Sequence, residues 1–567
     1  MKSAAEPVGL AVLFGFVMLL AVFPETMVAA NRAPIDVGVV LPLRRAFGVL
    51  ATVMFSVEIV DKRLVRFVAV LIFRAIRRAL LIVARGFRHV LLPNESSGTA
   101  RLRTGYDERQ TQGHDSEIDR FLRLLELQFV TKTSKLALAV VCATTIAAPR
   151  ARAQHDMSHM TASGLTLPLG VPFSRVGSAT SWLPDSSPMR AHHFVVGDWS
   201  LMLHGAATLQ NDRQNGFRGD QQLGLIDWEM LMAAHPLAGG LFRVNAMTSV
   251  EAAVNGREGY PELVQTGGTF RGARLVNRQH PHNLVMEAAA LYDHSLTRWL
   301  AGEVYVAAVG EPALGPVAYM HRPSADADPF APIGHHGQDA SHESFGVVTA
   351  ALNTHAVKLE ASTFNAREGD EYRYNLDYHG ARLDSYSMRL TALPNGHIAL
   401  SAWAGYLMAH DRLETPIGMQ RYGASLSTSN TVGGRPLSTE VVWGLDIHHH
   451  GSREHMHGAD ATNLKFFHEM ASALVEATLG LTKKTELTAR LEQVQKSGDD
   501  LGFIGDDLAE IFTIRGMSLA VTRDAVTAGG FTFALGARGA VDRLPQTLRP
   551  TYHTVTPTGY SIFLKVH

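Results

Sequence analysis

From about residue 198 to the end of the chain, apolar side chains alternate with polar or small ones along segments of 10–14 residues. DWSLMLHGAATLQ (198–210), HAVKLEASTFNAR (355–367), GHIALSAWAGYLMA (396–409) and KTELTARLEQVQK (484–496) carry the beat clearly. Successive side chains on a strand point to opposite faces, so this period predicts strands with two unlike faces. Sixteen segments follow it, near 198–210, 222–234, 240–253, 283–294, 300–310, 343–353, 355–366, 381–393, 396–409, 420–430, 438–448, 467–480, 483–496, 511–523, 529–541 and 558–566.

The connections are more telling than the segments. After each even-numbered one the link is short, as in HPLAG (235–239), the single Thr354 and VGGRP (432–436). After the odd-numbered ones it is longer, the largest links being Asn255–His282, Glu311–His342 and His449–Phe466. Short turns at one end and long loops at the other predict an all-β fold, an antiparallel transmembrane β-barrel of about sixteen strands, within roughly 14–18. Closure removes the sheet edges and satisfies every backbone hydrogen bond in lipid. A soluble sandwich or propeller is the alternative, but its strands are usually about 5–6 residues long. An even count places both barrel termini in the periplasm, with the long loops extracellular. The last segment, Gly559–His567, alternates like a terminal barrel strand but ends on His567 in place of Phe or Trp.

Upstream of the barrel, Thr131–Gln154 reads as a secretory signal peptide. Lys132 and Lys135 supply the positive start, Leu136–Ala148 the short apolar run, and Ala151-Arg152-Ala153 the small-x-small cleavage pattern. The expected organisation is therefore an N-terminal extension at 1–129, a signal peptide at 130–153, a polar periplasmic segment at 154–196 and an outer-membrane barrel at 197–567. The extension has two readings: upstream text preceding a start at Val130, or apolar and Arg-rich helices forming an anchor.

Composition changes the picture only after this division. Residues 1–153 hold 21 Lys+Arg against 12 Asp+Glu, a net of +9; the whole-chain totals of 52 and 53 leave 31 and 41 downstream, a net of −10. The near-neutral overall charge is thus an average of unlike pieces and identifies no partner; nucleic acid is not expected. The sole cysteine, Cys142, lies in the apolar run of the signal, so the exported part has neither disulfides nor thiolate ligands.

Histidine carries the candidate chemistry, with 25 of 27 residues after Ala153. The new N-terminus offers His155, Met157, His159 and Met160, imidazole and thioether ligands suited to copper. Three loops add His280 and His282, then His335, His336 and His342, then His455 and His457. Their convergence over the barrel mouth would build a His/carboxylate metal site. Structural packing of His- and Pro-rich loops is the alternative. If the loop 311–342 folds into the lumen, Asp326, Asp328 and Asp339 line a cation-favouring constriction with His335 and His336. Arg271, Arg274 and Arg278 would then face them across the pore. His468-Glu469 and His342-Glu343 lack the second histidine of HExxH, and neither a G-x-S-x-G elbow nor a phosphate loop is present. No enzymatic activity is expected; a barrel hydrolase is a distant alternative.

TSWLPDSSPM (180–189), NRQHPHNLVMEAAALY (277–292), GEPALGPVAYMHRPSA (310–325) and LDSYSMRLT (383–391) together resemble a family of uncharacterised, porin-like bacterial outer-membrane proteins. The resemblance spans most of 175–567 and implies the barrel but no activity. The short Met/His segment at 154–160 is similar to those of outer-membrane copper-resistance proteins. In position and length the loop 311–342 looks like the inward-folding third loop of sixteen-stranded porins, whose trimers imply a homo-oligomer. The expected function is porin-like passage or binding of small polar solutes or ions in the bacterial outer membrane. The alternative is copper or heavy-metal binding or resistance. No cofactor is required, although copper or another divalent metal suits the histidines. Expected partners are outer-membrane lipid, barrel-assembly and periplasmic chaperone machinery, and small solutes or metal ions.

Overall fold

A computed structural model of the protein describes residues 166–367, 369–377, 382–408, 418–450, 466–503 and 510–567. The signal segment, the extension before it, and His155, Met157, His159, Met160, His455 and His457 lie outside the described residues.

Sixteen antiparallel strands pair with their neighbours and close the last onto the first. They are β1 (Trp199–Gln214), β2 (Gln221–Leu237), β3 (Gly240–Thr248), β4 (Val285–Ser295), β5 (Ala301–Gly310), β6 (Ser344–Asn353), β7 (Val357–Asn365) and β8 (Ser385–Asn395). The circuit continues through β9 (Ile398–Leu407), β10 (Met419–Val432), β11 (Arg435–His450), β12 (Phe466–Thr482), β13 (Thr485–Ser497), β14 (Ile511–Ala528), β15 (Phe531–Arg543) and β16 (Thr558–Val566). Each falls on a segment picked out by its alternation. Several ends shift by a few residues, β14 running on to Ala528 and β8 starting only at Ser385; β3 stops early, at Thr248, because Glu251–Asn255 forms a single helical turn and carries Glu251 into the interior.

The wall is inverted relative to a soluble protein. On β14, Met517, Leu519 and Val521 face outward, while Ser518, Ala520 and Thr522 between them are buried. On β13, Leu491 is 54% exposed and its neighbour Arg490 only 1%. Lipid solvates the aliphatic face, so the polar residues turn inward and satisfy one another. Tyr386, Tyr406 and Tyr422 cluster on β8–β10 near the long-loop end, with Tyr386 and Tyr406 stacked 5.4 Å apart. Trp199 and Phe242 meet at the opposite end, where Trp299 also sits. Two aromatic belts flanking an aliphatic band complete the construction of an outer-membrane-type β-barrel.

The lumen is filled from both ends. The segment from Thr166 to Met189, expected as a polar periplasmic lead-in, is instead seated inside the short-turn end. Leu167, Val171, Phe173 and Trp182 pack with Met202, Met230 and Met247 from the inner wall. Arg175 pairs with Asp185 at 2.6 Å and donates to the carbonyl of His355, in the short turn between β6 and β7. The apolar residues interspersed in this stretch bury themselves against the wall, which its overall polarity conceals. The chain then leaves through a short strand, His192–Val196, paired with the start of β1.

From the other end, residues 311–343 fold inward and cross the lumen. Ala313 donates to Ser362 on β7 at 2.8 Å, Ser324 to Glu476 on β12 at 2.9 Å, and Ala327 to Thr488 on β13 at 3.1 Å. Gly334 donates to Glu492 on β13 at 2.9 Å. The remaining long insertion, 255–284, forms a hairpin of Tyr260–Phe270 and Ala273–Gln279 that is separate from the barrel sheet.

Candidate functional site

The inward-facing charges are paired across neighbouring strands. Arg243 on β3 reaches Asp293 on β4 at 2.8 Å and Glu303 on β5 at 3.0 Å. Lys358 on β7 shares Glu303 at 2.9 Å, and Arg389 on β8 holds Glu360 at 2.9 Å. Farther round, Arg421 holds Asp446 at 2.8 Å and Arg490 holds Glu476 at 2.7 Å. Every one of these side chains is buried.

The inward loop fastens onto this ladder through its own carboxylates. Asp328 accepts from Arg538 at 3.0 Å and from Ser518 at 2.8 Å, with Arg490 at 3.6 Å. Asp326 accepts from Lys565 at 2.7 Å and lies 3.0 Å from Arg190. Burial disfavours both carboxylates' charge, but the adjacent cations outweigh it and lower both pKa values. Both carboxylates therefore anchor the loop with their charges paired. Arg271, Arg274 and Arg278 were expected opposite them, but their carboxylate partners lie among the loops. Arg274 reaches Asp499 at 2.6 Å, Arg278 reaches Asp220 at 2.7 Å, and the Arg271 amide donates to Glu371. Adjacent loops at the barrel mouth offer exposed acids nearer than the lumen does.

Histidines from the hairpin segment and the inward loop converge in one layer. Ring centroids lie 5.2 Å apart for His280 and His336, 5.1 Å for His336 and His335, 5.2 Å for His335 and His342, and 5.5 Å for His342 and His282. Tyr319 packs beside His335 and His282. The sequence reading thus named five histidines that the fold brings together. It did not single out Glu251 or Tyr319, which belong to the same layer, because neither stands in a histidine-rich run.

Local chain geometry fixes each ring. The Glu251 carboxylate accepts from the His282 amide at 3.1 Å and from its Nδ1 at 3.0 Å. Glu343 accepts from the Asn283 amide at 3.1 Å, clamping the next residue. A short helical turn, His335–Gln338, places Asp339 one turn below His335, whose Nδ1 donates to it. His342 Nδ1 donates to the Asp339 carbonyl at 2.8 Å. Gly267 makes room: a Cβ there would stand 1.9 Å from the His336 ring, and its φ of +127° suits glycine.

In these three histidines Nδ1 is committed to an acceptor, and Nε2 of His282, His335 and His342 is buried without a protein hydrogen-bond partner. The Tyr319 hydroxyl is in the same state. Four such atoms, three imidazole nitrogens and a phenol, thus stand together in this layer. The field differs from ring to ring. Burial lowers the His282 pKa, but Glu251, Glu343 and Asp227 outweigh it and push it up to about 9. His342 goes the other way, down to about 3, through burial and the neighbouring His335 and His282.

A cavity adjoins the layer on each side. One, of about 90 Å³, opens among the long loops, lined by Arg274, His448 and Asp500, and reaches down to His336. The other, of about 140 Å³, runs from Arg190, Lys565 and His567 at the short-turn end up to His282 and His321. Met189, Met202, Met232 and Met320 line it together with His204.

No family model and no curated protein matches the chain. Among solved structures it is similar to an anion-selective porin from Comamonas acidovorans (11% identity, 65% of this chain and 100% of that one, TM-score 0.40). It is also similar to OmpF of Salmonella typhi, solved with daunomycin (10%, 66% and 100%, TM-score 0.40), and to the outer-membrane protein OmpT of Vibrio cholerae (7%, 66% and 99%, TM-score 0.37).

Proposed function

We propose that the protein is a bacterial outer-membrane channel of porin-like construction, passing small polar solutes or ions through a narrow, occluded lumen. The observation that carries this reading is the pair of cavities, one at each end of the barrel, separated by the inward loop and its histidine layer. A barrel serving only as a membrane anchor has no need of a polar lumen accessible from both ends. The long loops are then extracellular, and the segment from Thr166 to Met189 narrows the periplasmic exit. With the lumen filled from both ends, general diffusion of metabolites is not supported; the passage suits single small ions or solutes.

Single-channel recording in planar bilayers tests this. Steps much smaller than those of an open sixteen-stranded pore are expected. Insertion of folded barrels without any step sinks the reading.

A further inference from the structure

We propose that His282, His335 and His342 form a three-imidazole copper site lying between the two cavities. The proposal rests on the passage reading for its purpose and names the solute class, but the site stands on its own geometry. Each ring has Nδ1 held by a carboxylate or backbone carbonyl, so a neutral ring carries its lone pair on Nε2; His282, held cationic by Glu251, must release its Nε2 proton when the metal binds. This is how proteins orient imidazole ligands toward a metal. All three Nε2 atoms are buried and without a protein partner.

Two of the three ring spacings fit as well. Three imidazoles bound through nitrogen at about 2.0–2.1 Å around a tetrahedral ion have centroids about 5 Å apart. Those of His335 and His342 are 5.2 Å apart, and those of His342 and His282 are 5.5 Å apart. Among the described residues, no three His, Cys, Asp or Glu side chains already stand in coordinating geometry. Bringing the three Nε2 atoms onto one ion is therefore a side-chain movement and part of the proposal.

The choice of ion follows from the approach to the site. Imidazole accepts zinc, copper, nickel and iron alike, whereas thioether selects copper in its reduced form. The cavity that ends at His282 is lined by four methionines and by His204 and His321. Copper is the ion that both ligand sets accept. Zinc would bind the three histidines but find no use for the methionines.

The test uses the full-length protein from membranes, loaded with Cu⁺ under reducing conditions and, separately, with Zn²⁺. In crystals of the wild type, an anomalous peak between the His282, His335 and His342 rings is expected at the copper edge. Copper found only at other histidines overturns the proposal. In competition with a chelator, the H335Q/H342Q variant should lose one equivalent, bound at least 100-fold more tightly than by the variant. H553Q, in the loop before β16, should keep it. Equal stoichiometry and affinity in wild type and H335Q/H342Q overturns the proposal, and zinc bound as tightly as copper overturns the choice of ion. Copper binding without bilayer conductance keeps the site and removes the passage; conductance without copper binding does the reverse.

Discussion

The wall ladder and the histidine layer occupy the same lumen and are equally buried, yet one is held by paired charges and the other by rings each fixed through a single nitrogen. In the ladder each cation faces one or two carboxylates: Arg490 has Glu476 and Asp328, and Arg243 has Asp293 and Glu303. In the layer, His282, His335 and His342 each have one nitrogen secured and the other without a protein partner. A buried charge left alone is expensive, so the ladder pairs its charges to hold the wall and the inward loop together. The layer leaves one nitrogen of each of these rings open. The first arrangement is that of a scaffold, and the second is the one we propose as a binding site.

Breaking the ladder should have the largest effect. Arg490→Ala removes the closest cation from buried Glu476, one of two cations beside Asp328, and the donor to the Phe330 carbonyl. We expect a loss of about 3–5 kcal/mol in urea unfolding of the barrel in lipid. The outer face offers a contrast of another kind. Leu519→Arg places a cation in the aliphatic band midway along β14, with an expected loss of about 2–4 kcal/mol in the same assay.

The layer should respond in binding more than in stability. Gly267→Ala drives a methyl into the His336 ring and displaces the layer. Copper affinity is expected to fall roughly 10–100-fold, the range for lost support of a ligand sphere, as read by chelator competition. His342→Gln retains a donor for the Asp339 carbonyl, so its stability change should stay within about 1 kcal/mol. The smallest effect belongs to the mouth. Arg274→Ala removes a contact to the exposed Asp499 and should change stability by less than about 1 kcal/mol.

All sixteen strands were legible in the sequence because lipid on one side and paired charges on the other impose a strict period of two. The third loop's inward path was implied only by its resemblance in position and length to that of sixteen-stranded porins, against the alternative of a loop capping the barrel from outside. What stayed hidden was pairing at long range. Nothing in the run around Glu251 announces that it fixes His282, 31 residues later. The same holds for Lys565, which closes on Asp326 across 239 residues. The segment from Thr166 to Met189 misled for another reason: its apolar residues are too irregularly spaced to show a period, and they find their faces only inside the barrel. The five histidines of the layer were named individually from two separate loops, but the barrel alone sets them in a row with each ring within 5.5 Å of the next.

The most direct test of a passage interrupted by a metal-binding histidine layer is single-channel recording of the wild type and H335Q/H342Q, each with and without copper. The account predicts small steps in both proteins, with copper blocking the wild type and leaving the variant conducting. Absence of steps in folded wild-type barrels, or a copper block of equal strength in both proteins, would contradict it.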